Sequence, residues 1–441
     1  MTDDDRAHDV VLWGATGFTG RLVAEHLAER YGAGDLEWAI AGRDEERLAA
    51  VRDELIADHD TNDGGENDSD GGNDTGDDAL ASLDVLTGDA FDRESLDRVA
   101  ARTAVVCTTV GPYARYGSDL VAACVEHGTD YCDLSGEVHW MRRTIDEHHE
   151  RARETGARIV HGCGFDSVPS DLGTLLLQTH ADEEFETPCD EVRGHVSIRG
   201  GAFSGGTVAS MLELYETAAE DREVRRLLAD PRALDPPESR GAPAERPQRG
   251  PGYDRDADTW TAPFVMARIN EPVVSRSNAL LGYPWGHTFR YSEALRTGDG
   301  VGGLARAGAL TAGQRLLAGA LSIGPLRETL DRYVLPDPGE GPDEGTIEGS
   351  SFEVRLRGTG ASDGHPGGFA VEATVRGDRD PGYGSTCRML GESAVCLARG
   401  EIESPHDGGV LTPASGIGLP LLDRLEGTGV SFEVETVEGG D

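Results

Sequence analysis

Residues 10–20 read VVLWGATGFTG, and the fold turns on how this stretch is taken. Four apolar residues run straight into glycines at Gly14, Gly17 and Gly20, spaced G-x-x-G-x-x-G. An apolar run of that length, Val10–Trp13, suits a strand buried on both faces, and Leu22, Val23 and Leu27 beyond it form a helical stripe. A strand that turns into a helix through residues with little or no side chain brings backbone amides close to an anion. The helix N-terminus adds unpaired N–H groups and partial positive charge. The stretch is therefore expected to hold a dinucleotide diphosphate, as in the Rossmann turn.

The pattern continues outward. Strands are expected at Trp38–Ala41, Leu83–Leu86, Val105–Val110, Tyr131–Leu134 and Arg158–His161, most of them separated by helical segments such as the one carrying Leu48, Val51 and Leu55. Such alternation predicts an α/β fold with an N-terminal Rossmann-like, doubly wound parallel sheet over residues 1–165. Residues 58–78, DHDTNDGGENDSDGGNDTGDD, carry no large apolar side chain and are expected to be a disordered acidic loop. Their resemblance to a calcium loop fails, because Asp63 stands where the turn needs Gly and Ser69 where it needs Glu.

Beyond Gly164 the character changes. Residues 166–230 read as helical with the Gly-rich interruption RGGAFSGGTVAS, 233–258 as a Pro- and charge-rich loop, and 259–297 and 346–377 as β-like. This predicts a second, α+β domain over 166–380 for substrate binding or dimerisation. Terminal helices follow over 381–441, Met389–Arg399 among them, and are expected to return to the Rossmann domain. The run Val301–Leu326 is broken by Arg306, Gln314 and Arg315, which argues for a surface or packing helix and against a transmembrane one.

Composition narrows the chemistry. The chain has 441 residues with 40 basic and 81 acidic side chains, a net charge of −41, a field that repels nucleic acid. All the basic residues are Arg, so Schiff-base, Walker-lysine and Tyr-x-x-x-Lys chemistry are excluded. An acidic, Lys-free composition suits a halophilic, high-salt cytoplasm. Seven scattered cysteines with no C-x-x-C pair predict buried reduced thiols rather than disulfides or a metal site, and with the polar start MTDDDRAHD they point to a cytoplasmic protein.

The second strand ends Ala41-Gly42-Arg43, where NAD sites carry an acid. Arg43 suits the 2′-phosphate of NADP(H), with Asp44 read as the cap of the next helix. The other reading of Arg43 is a surface side chain stacked on adenine or paired with Asp44. The carboxyl ends of the later strands, TTVGPYARYG (108–117), YCDLSGE (131–137) and HGCGFDSVPSDLG (161–173), should line the site. The expected cofactor contacts are Gly14, Thr16, Gly17, Phe18, Thr19, Gly20, Arg43, Thr109, Gly111, Pro112 and Ser135. The candidate catalytic residues are Tyr113 and Asp166. Tyr113 is read as a proton donor to an enolate or as a ring packed under the nicotinamide ribose. Asp166 is read as a substrate-orienting group or as the cap of the helix near Val168. Asp133, Ser135 and Glu137 read as a polar edge that holds ribose or carboxamide, with capping of the helix near Val138 the other reading for Ser135 and Glu137; Cys163 reads as a structural thiol, and His148 and His149 as a solvated face.

Taken together, GATGFTG, AGR, GPYARYG, YCDLSGE and GCGFDSVPSDLG resemble the saccharopine dehydrogenase-like oxidoreductases. More narrowly they resemble the branch that includes the trans-acting enoyl reductases of bacterial complex-lipid synthesis, as do SGGTVAS (204–210) and LPDPGEGP (335–342). The resemblance covers nearly the whole chain and implies NADP(H), a second domain over the nicotinamide and a reductase of an enoyl, acyl or other hydrophobic substrate. The alternatives are a saccharopine-type amino-acid dehydrogenase, disfavoured by the missing lysine, and a non-catalytic NADPH-binding, lipid-associated protein. Peripheral lipid contact and a homodimer are the partner states this reading allows. The acidic loop 58–78 and the broken run 301–326 depart from the branch.

Overall fold

The computed structural model describes residues 6–32, 34–63, 80, 82–200, 217–218, 221–239, 248–321, 341–362 and 365–437. Its first sheet is built from β1 (His8–Trp13), β2 (Trp38–Gly42), β3 (Asp84–Thr87), β4 (Thr103–Thr108), β5 (Asp130–Asp133) and β6 (Arg158–Val160). All pairings are parallel, in the order β3-β2-β1-β4-β5-β6. The reversal of direction lies between β1 and β4, so the crevice where this fold takes its ligand opens at Gly14 and Thr109. Val10, Val11 and Leu12 are fully buried, as a doubly covered parallel strand requires.

Six helices matter for the site's framework and a seventh for the surface. Helix α1 (Phe18–Tyr31) follows the glycine turn, α2 (Glu45–Asp63) follows β2, and α3 (Val138–Thr155) follows β5. Helices α4 (Val168–Phe185), α5 (Ala267–Leu280) and α6 (Gly300–Leu321) belong to the second half, and α7 (Gly384–Arg399) returns to pack on α1, β4 and β5. Buried Glu392 of α7 ties that return. It accepts hydrogen bonds from Tyr31 Oη at 2.5 Å and pairs with His26 Nε2 at 2.8 Å and Arg30 Nε at 3.2 Å. One hydrophobic core runs from Val10 and Leu27 through α4 and α7 to Val430, so the two halves share an interior.

The second sheet is mixed. Its strands are β7 (Glu191–Arg199), β8 (Gly252–Asp254), β9 (Thr259–Pro263), β10 (Arg290–Gly298), β11 (Ser351–Ser362), β12 (His365–Gly377) and β14 (Val430–Val437). Their order is β14-β12-β11-β7-β10-β9-β8, with only β7 and β10 parallel. β11 and β12 form a hairpin in the register Phe352↔Gly377, from the expected β-like stretch.

Several expectations are corrected. Residues 191–199 fall in a region read as helical, yet form β7, because Val192, Gly194 and Val196 alternate with Arg193, His195 and Ser197. The stretch after 381 carries, besides helices, β13 (Gly409–Leu411) on β6 of the first sheet and β14 on β12 of the second. Helix α2 continues to Asp63, inside the stretch expected to be a loop, while 64–78 lies outside the described residues. SGGTVAS (204–210) and residues 335–340 of LPDPGEGP also lie outside them. His149 is not on a solvated face: its Nδ1 accepts the Val410 amide at 3.1 Å, and burial against Arg276 lowers its pKa to about 4.

Helix α6 lies over β9 and β10 on a narrow seam of Gly303, Ala307, Thr311 and Leu321. Its other side shows Val301 (84% exposed), Leu304, Leu310, Leu316 (76%) and Leu317 to solvent. Among the described residues no helix is long and apolar enough to cross a membrane.

Candidate active site

The glycine turn has the shape the spacing predicts. Gly14 has φ +101°, and a Cβ there would lie 2.5 Å from Val110 Cγ2, so only glycine fits both the conformation and the space. A Cβ on Gly20 would lie 2.8 Å from the Gly14 carbonyl carbon and 2.9 Å from Ala15 Cα, so α1 is pressed onto the turn. Gly17 N donates to Gly14 O at 3.0 Å, and Thr109 Oγ1 donates to the same oxygen at 3.3 Å. Helix α1 has no side-chain cap and no acid in its first turn. No carboxylate within that first turn competes for the amides at Phe18 and Thr19, and the donor set suits a diphosphate. Thr16, Gly17, Phe18 and Thr19 are half-buried at this mouth, with Gly111 and Pro112 half-buried on the β4 side.

At the end of β2, Arg43 is exposed. Asp44 does not pair with it: Asp44 Oδ1 accepts the Arg47 amide at 3.1 Å and its carboxylate pairs with Arg47 Nε at 3.6 Å, capping α2. Among the described residues no acid pairs with the Arg43 guanidinium, which is exposed at the strand end.

The ends of β5 and β6 are held by one buried acid. Asp133, with no exposed surface, accepts Tyr131 Oη at 2.9 Å, the Ser135 amide at 2.9 Å and the Gly162 amide at 3.1 Å, and pairs with His161 Nδ1 at 2.8 Å. Ser135 is fully buried, and its hydroxyl accepts the Glu137 amide at 3.3 Å. Glu137 does not cap α3 with its side chain. It reaches back to the amides of Tyr113 and Ala114, both at 2.8 Å, and pins the β4 loop.

Tyr113 is buried with its ring stacked on Trp140 at 5.6 Å. Its hydroxyl donates to Thr108 O at 3.3 Å and accepts the Leu134 amide at 3.2 Å, and burial beside Asp133 raises its pKa well above the usual 10. That phenol joins the β4 and β5 loops and holds its proton tightly. Cys163 is fully buried, with its thiol pKa pushed up by burial, as a structural thiol should be. All seven cysteines are free and buried.

Asp166 stands at the exit of β6, partly buried. Burial, reinforced by the Asp133 charge, raises its pKa to about 7. It does not cap α4; the cap position is Ser167, whose Oγ donates to Asn270 Oδ1 at 3.2 Å. A Cβ on Gly136 would lie 3.7 Å from Asp166 Oδ1 and 2.7 Å from Ile269 Cδ1, so α5 of the second half closes over the strand ends here.

Two contacts were not read from the sequence. Thr386 Oγ1, in the first turn of α7, accepts the Phe165 amide at 3.0 Å and donates to Pro381 O at 2.7 Å. The ring of Phe18 meets Tyr383 edge-on at 4.8 Å, and a Cβ on Gly341 would lie 2.5 Å from Phe18 Cδ1. The signal for the first was D-P-G-Y-G-S-T (380–386) ahead of a helix. A charged concavity of about 210 Å³, lined by Arg355, Glu372, Arg376 and Glu433, lies on the second sheet away from these loops. No cluster of three or more metal-ligating side chains occurs among the described residues.

Comparison with known proteins agrees with this geometry. The family profile described as the saccharopine dehydrogenase NADP binding domain matches residues 10–160. A Mycobacterium tuberculosis protein provisionally named a trans-acting enoyl reductase is 41% identical over 98% of this chain and 99% of its own length. The trans-acting enoyl reductase of Mycobacterium bovis is 38% identical over 98% of each chain. Among solved structures, apo saccharopine dehydrogenase (L-Glu forming) from Saccharomyces cerevisiae superposes with a TM-score of 0.53 over 97% of this chain and 99% of that one. At 14% identity that likeness shows the fold alone. The protein is an NADP(H)-dependent oxidoreductase, and the chain belongs to the saccharopine dehydrogenase-like family, in its trans-acting enoyl reductase branch.

Proposed function

We propose that this protein reduces the carbon–carbon double bond of an enoyl or related hydrophobic acyl substrate, with Asp166 as the group that delivers the proton. The reading is carried by one observation: a carboxyl lifted to about 7 stands on the same sheet edge as the glycine turn. The names of relatives 38–41% identical over the whole chain support the substrate class. Bound NADPH supplies a hydride. The turn at Gly14–Thr19 with Thr109, Gly111 and Pro112 binds the diphosphate, Arg43 takes the 2′-phosphate, and α5 and α7 exclude water over the strand ends. A carboxyl with a pKa of about 7 is partly protonated at neutral pH and releases its proton to a developing enolate without a metal. Tyr113 and Ser135 position the loops rather than exchange protons.

The division of labour follows the same lines: cofactor binding in 1–165, substrate contact and dimerisation in 166–380, and a C-terminal segment that returns to both. The buried free thiols suit a reducing cytoplasm. We assign the exposed leucines of α6 to a homodimer. No carboxylate interrupts this helix in a chain with 81 acids, so two copies meet here away from the acidic surface, with Arg306 and Arg315 the only charges along the helix, whereas an anionic lipid surface faces the full −41 charge.

The decisive assay follows NADPH oxidation in high salt with enoyl and ketoacyl thioesters. Turnover confined to enoyl thioesters, falling as pH rises above about 7 and lost in Asp166→Asn, is the expected result. Turnover with lysine, glutamate or 2-oxoglutarate instead would move the protein to the amino-acid branch. Tight NADPH binding with no oxidation by any acyl substrate would make it a non-catalytic binder.

A further inference from the structure

Phe91 is 64% exposed, the one large hydrophobic side chain at the surface among the described residues before β7. It follows β3 in the stretch Gly88-Asp89-Ala90-Phe91, at the carboxyl edge of the first sheet, where this fold takes its ligands. The loop that carries it is fixed. Gly88 N donates to Gly42 O at 3.0 Å, the Asp89 amide donates to Ser95 Oγ at 3.0 Å, and Asp89 Oδ1 accepts the Phe91 amide at 2.9 Å. A Cβ on Gly88 would lie 2.9 Å from Trp13 Cη2, so the loop is pressed onto the last residue of β1. A tight turn thus holds an apolar ring in water.

The Phe91 ring meets that of Tyr116 at 5.5 Å, tilted by 56°. Tyr116 is half-buried in the loop after β4, and Arg115 Cζ lies 5.2 Å from its ring centroid. The helices that follow the two loops, Arg93–Ala100 and Ser118–His127, pack together on one face of the sheet. In the sheet, β2 and β1 stand between β3 and β4. The two rings therefore form a wall beside the carboxyl ends of β2 and β1. The glycine turn follows β1 there, and Arg43 follows Gly42, whose carbonyl holds the Phe91 loop. Asp89 and Asp92 flank Phe91, which disfavours a second phosphate at this wall and suits a neutral, flat ring. A purine presents such a face and stacks on aromatic side chains.

We propose that Phe91 is a cofactor-contact residue, the wall against which the adenine ring of NADPH lies, with Tyr116 backing it. The glycine turn, Arg43 and Phe91 then take the diphosphate, the 2′-phosphate and the base of one molecule. The inference rests on the NADP(H) reading of the first domain. It concerns binding alone, so the choice of reduced substrate does not enter it.

Phe91→Ala and Phe91→Trp are the test, since an exposed ring is removed in one and a larger ring kept in the other. NADPH is titrated by nicotinamide fluorescence into the parent and both variants. Adenosine 2′-monophosphate, which carries the base and lacks the diphosphate and nicotinamide, is used as competitor, and the free proteins are melted. Phe91→Ala should bind both ligands about 5- to 150-fold more weakly, by the same factor, as for one lost base–aromatic contact. Phe91→Trp should hold the parent affinities, and the melting temperatures should be unchanged. Unchanged NADPH affinity in Phe91→Ala overturns the proposal. So does weakened NADPH with unchanged 2′-monophosphate, which places the ring away from the base, or equal loss in Phe91→Trp, which marks an effect of the loop. If the parent itself fails to bind NADPH, the cofactor reading falls and takes this inference with it.

Discussion

At the scale of single residues, the cofactor choice rests on Arg43 and the proton on Asp166. Arg43 is exposed, and Asp44 is committed to Arg47, so no acid among the described residues takes the place of a phosphate partner. Arg43→Ala should weaken NADPH binding by about 1.5–3 kcal/mol, the worth of a charge-assisted bond, and leave NADH nearly unchanged. Equal loss for the two nucleotides in parallel titrations would remove the 2′-phosphate role. For Asp166 the folded pKa is raised from 3.8 to about 7, so the native state favours the proton. The stabilisation is present below pH 4 and is lost as pH rises through 7. Asp166→Asn should therefore melt above the parent at pH 8 and match it near pH 4. Asp171, raised to about 7 by burial, keeps its own share of the decline in both proteins. A parallel melting curve for the two proteins across that range would argue against the assigned shift.

Much at this scale was legible. Gly14, Gly17 and Gly20 announce themselves by spacing, and Arg43 by its place at a strand end. Glu137 did not, because its partners Tyr113 and Ala114 are distant in sequence and its side chain had an equally good local use as a cap. Tyr383 carried no local signal either, since its neighbour Phe18 comes from the other end of the chain.

Among elements, strands with unbroken apolar runs were readable and those whose inward positions include glycine or charge were not. β7 hides behind Gly194, where a Cβ would crowd Glu293 Cγ at 2.9 Å, so its alternation lacks one apolar beat. β13 has three residues, too few to show any period. β14 does alternate in VSFEVETV, but it follows a convincing helix and short turns that suggested more of the same. Helix α6 yields its own prediction. Leu316→Asp places a carboxylate on the exposed face, away from the seam of Gly303, Ala307 and Thr311. It should leave the melting temperature within a degree or two of the parent while halving the mass seen by sedimentation. An unchanged mass for a parent dimer would place its interface elsewhere, and a monomeric parent would retire the dimer.

For the whole molecule, the net charge of −41 means that folding gathers like charges into a smaller volume. Screening shortens the reach of that repulsion from about 10 Å at 0.1 M salt to about 3 Å at 1 M. Thermal stability should therefore climb from dilute buffer to molar salt. A melting temperature independent of salt, or one falling with it, would show that acid–arginine pairs such as Arg21–Glu54 and Arg376–Glu433 already neutralise the surface.

The placement of β13 and β14 has a consequence for how the molecule comes into being. One covers β6 at the end of the parallel sheet, and the other covers β12 at the end of the mixed sheet. Both come from the stretch 409–437, synthesised after every strand they cover. Until a ribosome has passed that point, two sheets wait with a row of unpaired backbone groups each, the kind of edge that recruits a neighbouring chain. A nascent polypeptide stalled short of residue 409 is thus doubly adhesive. Native pairing on both sides is withheld until the same late moment, so the two domains mature together rather than in succession.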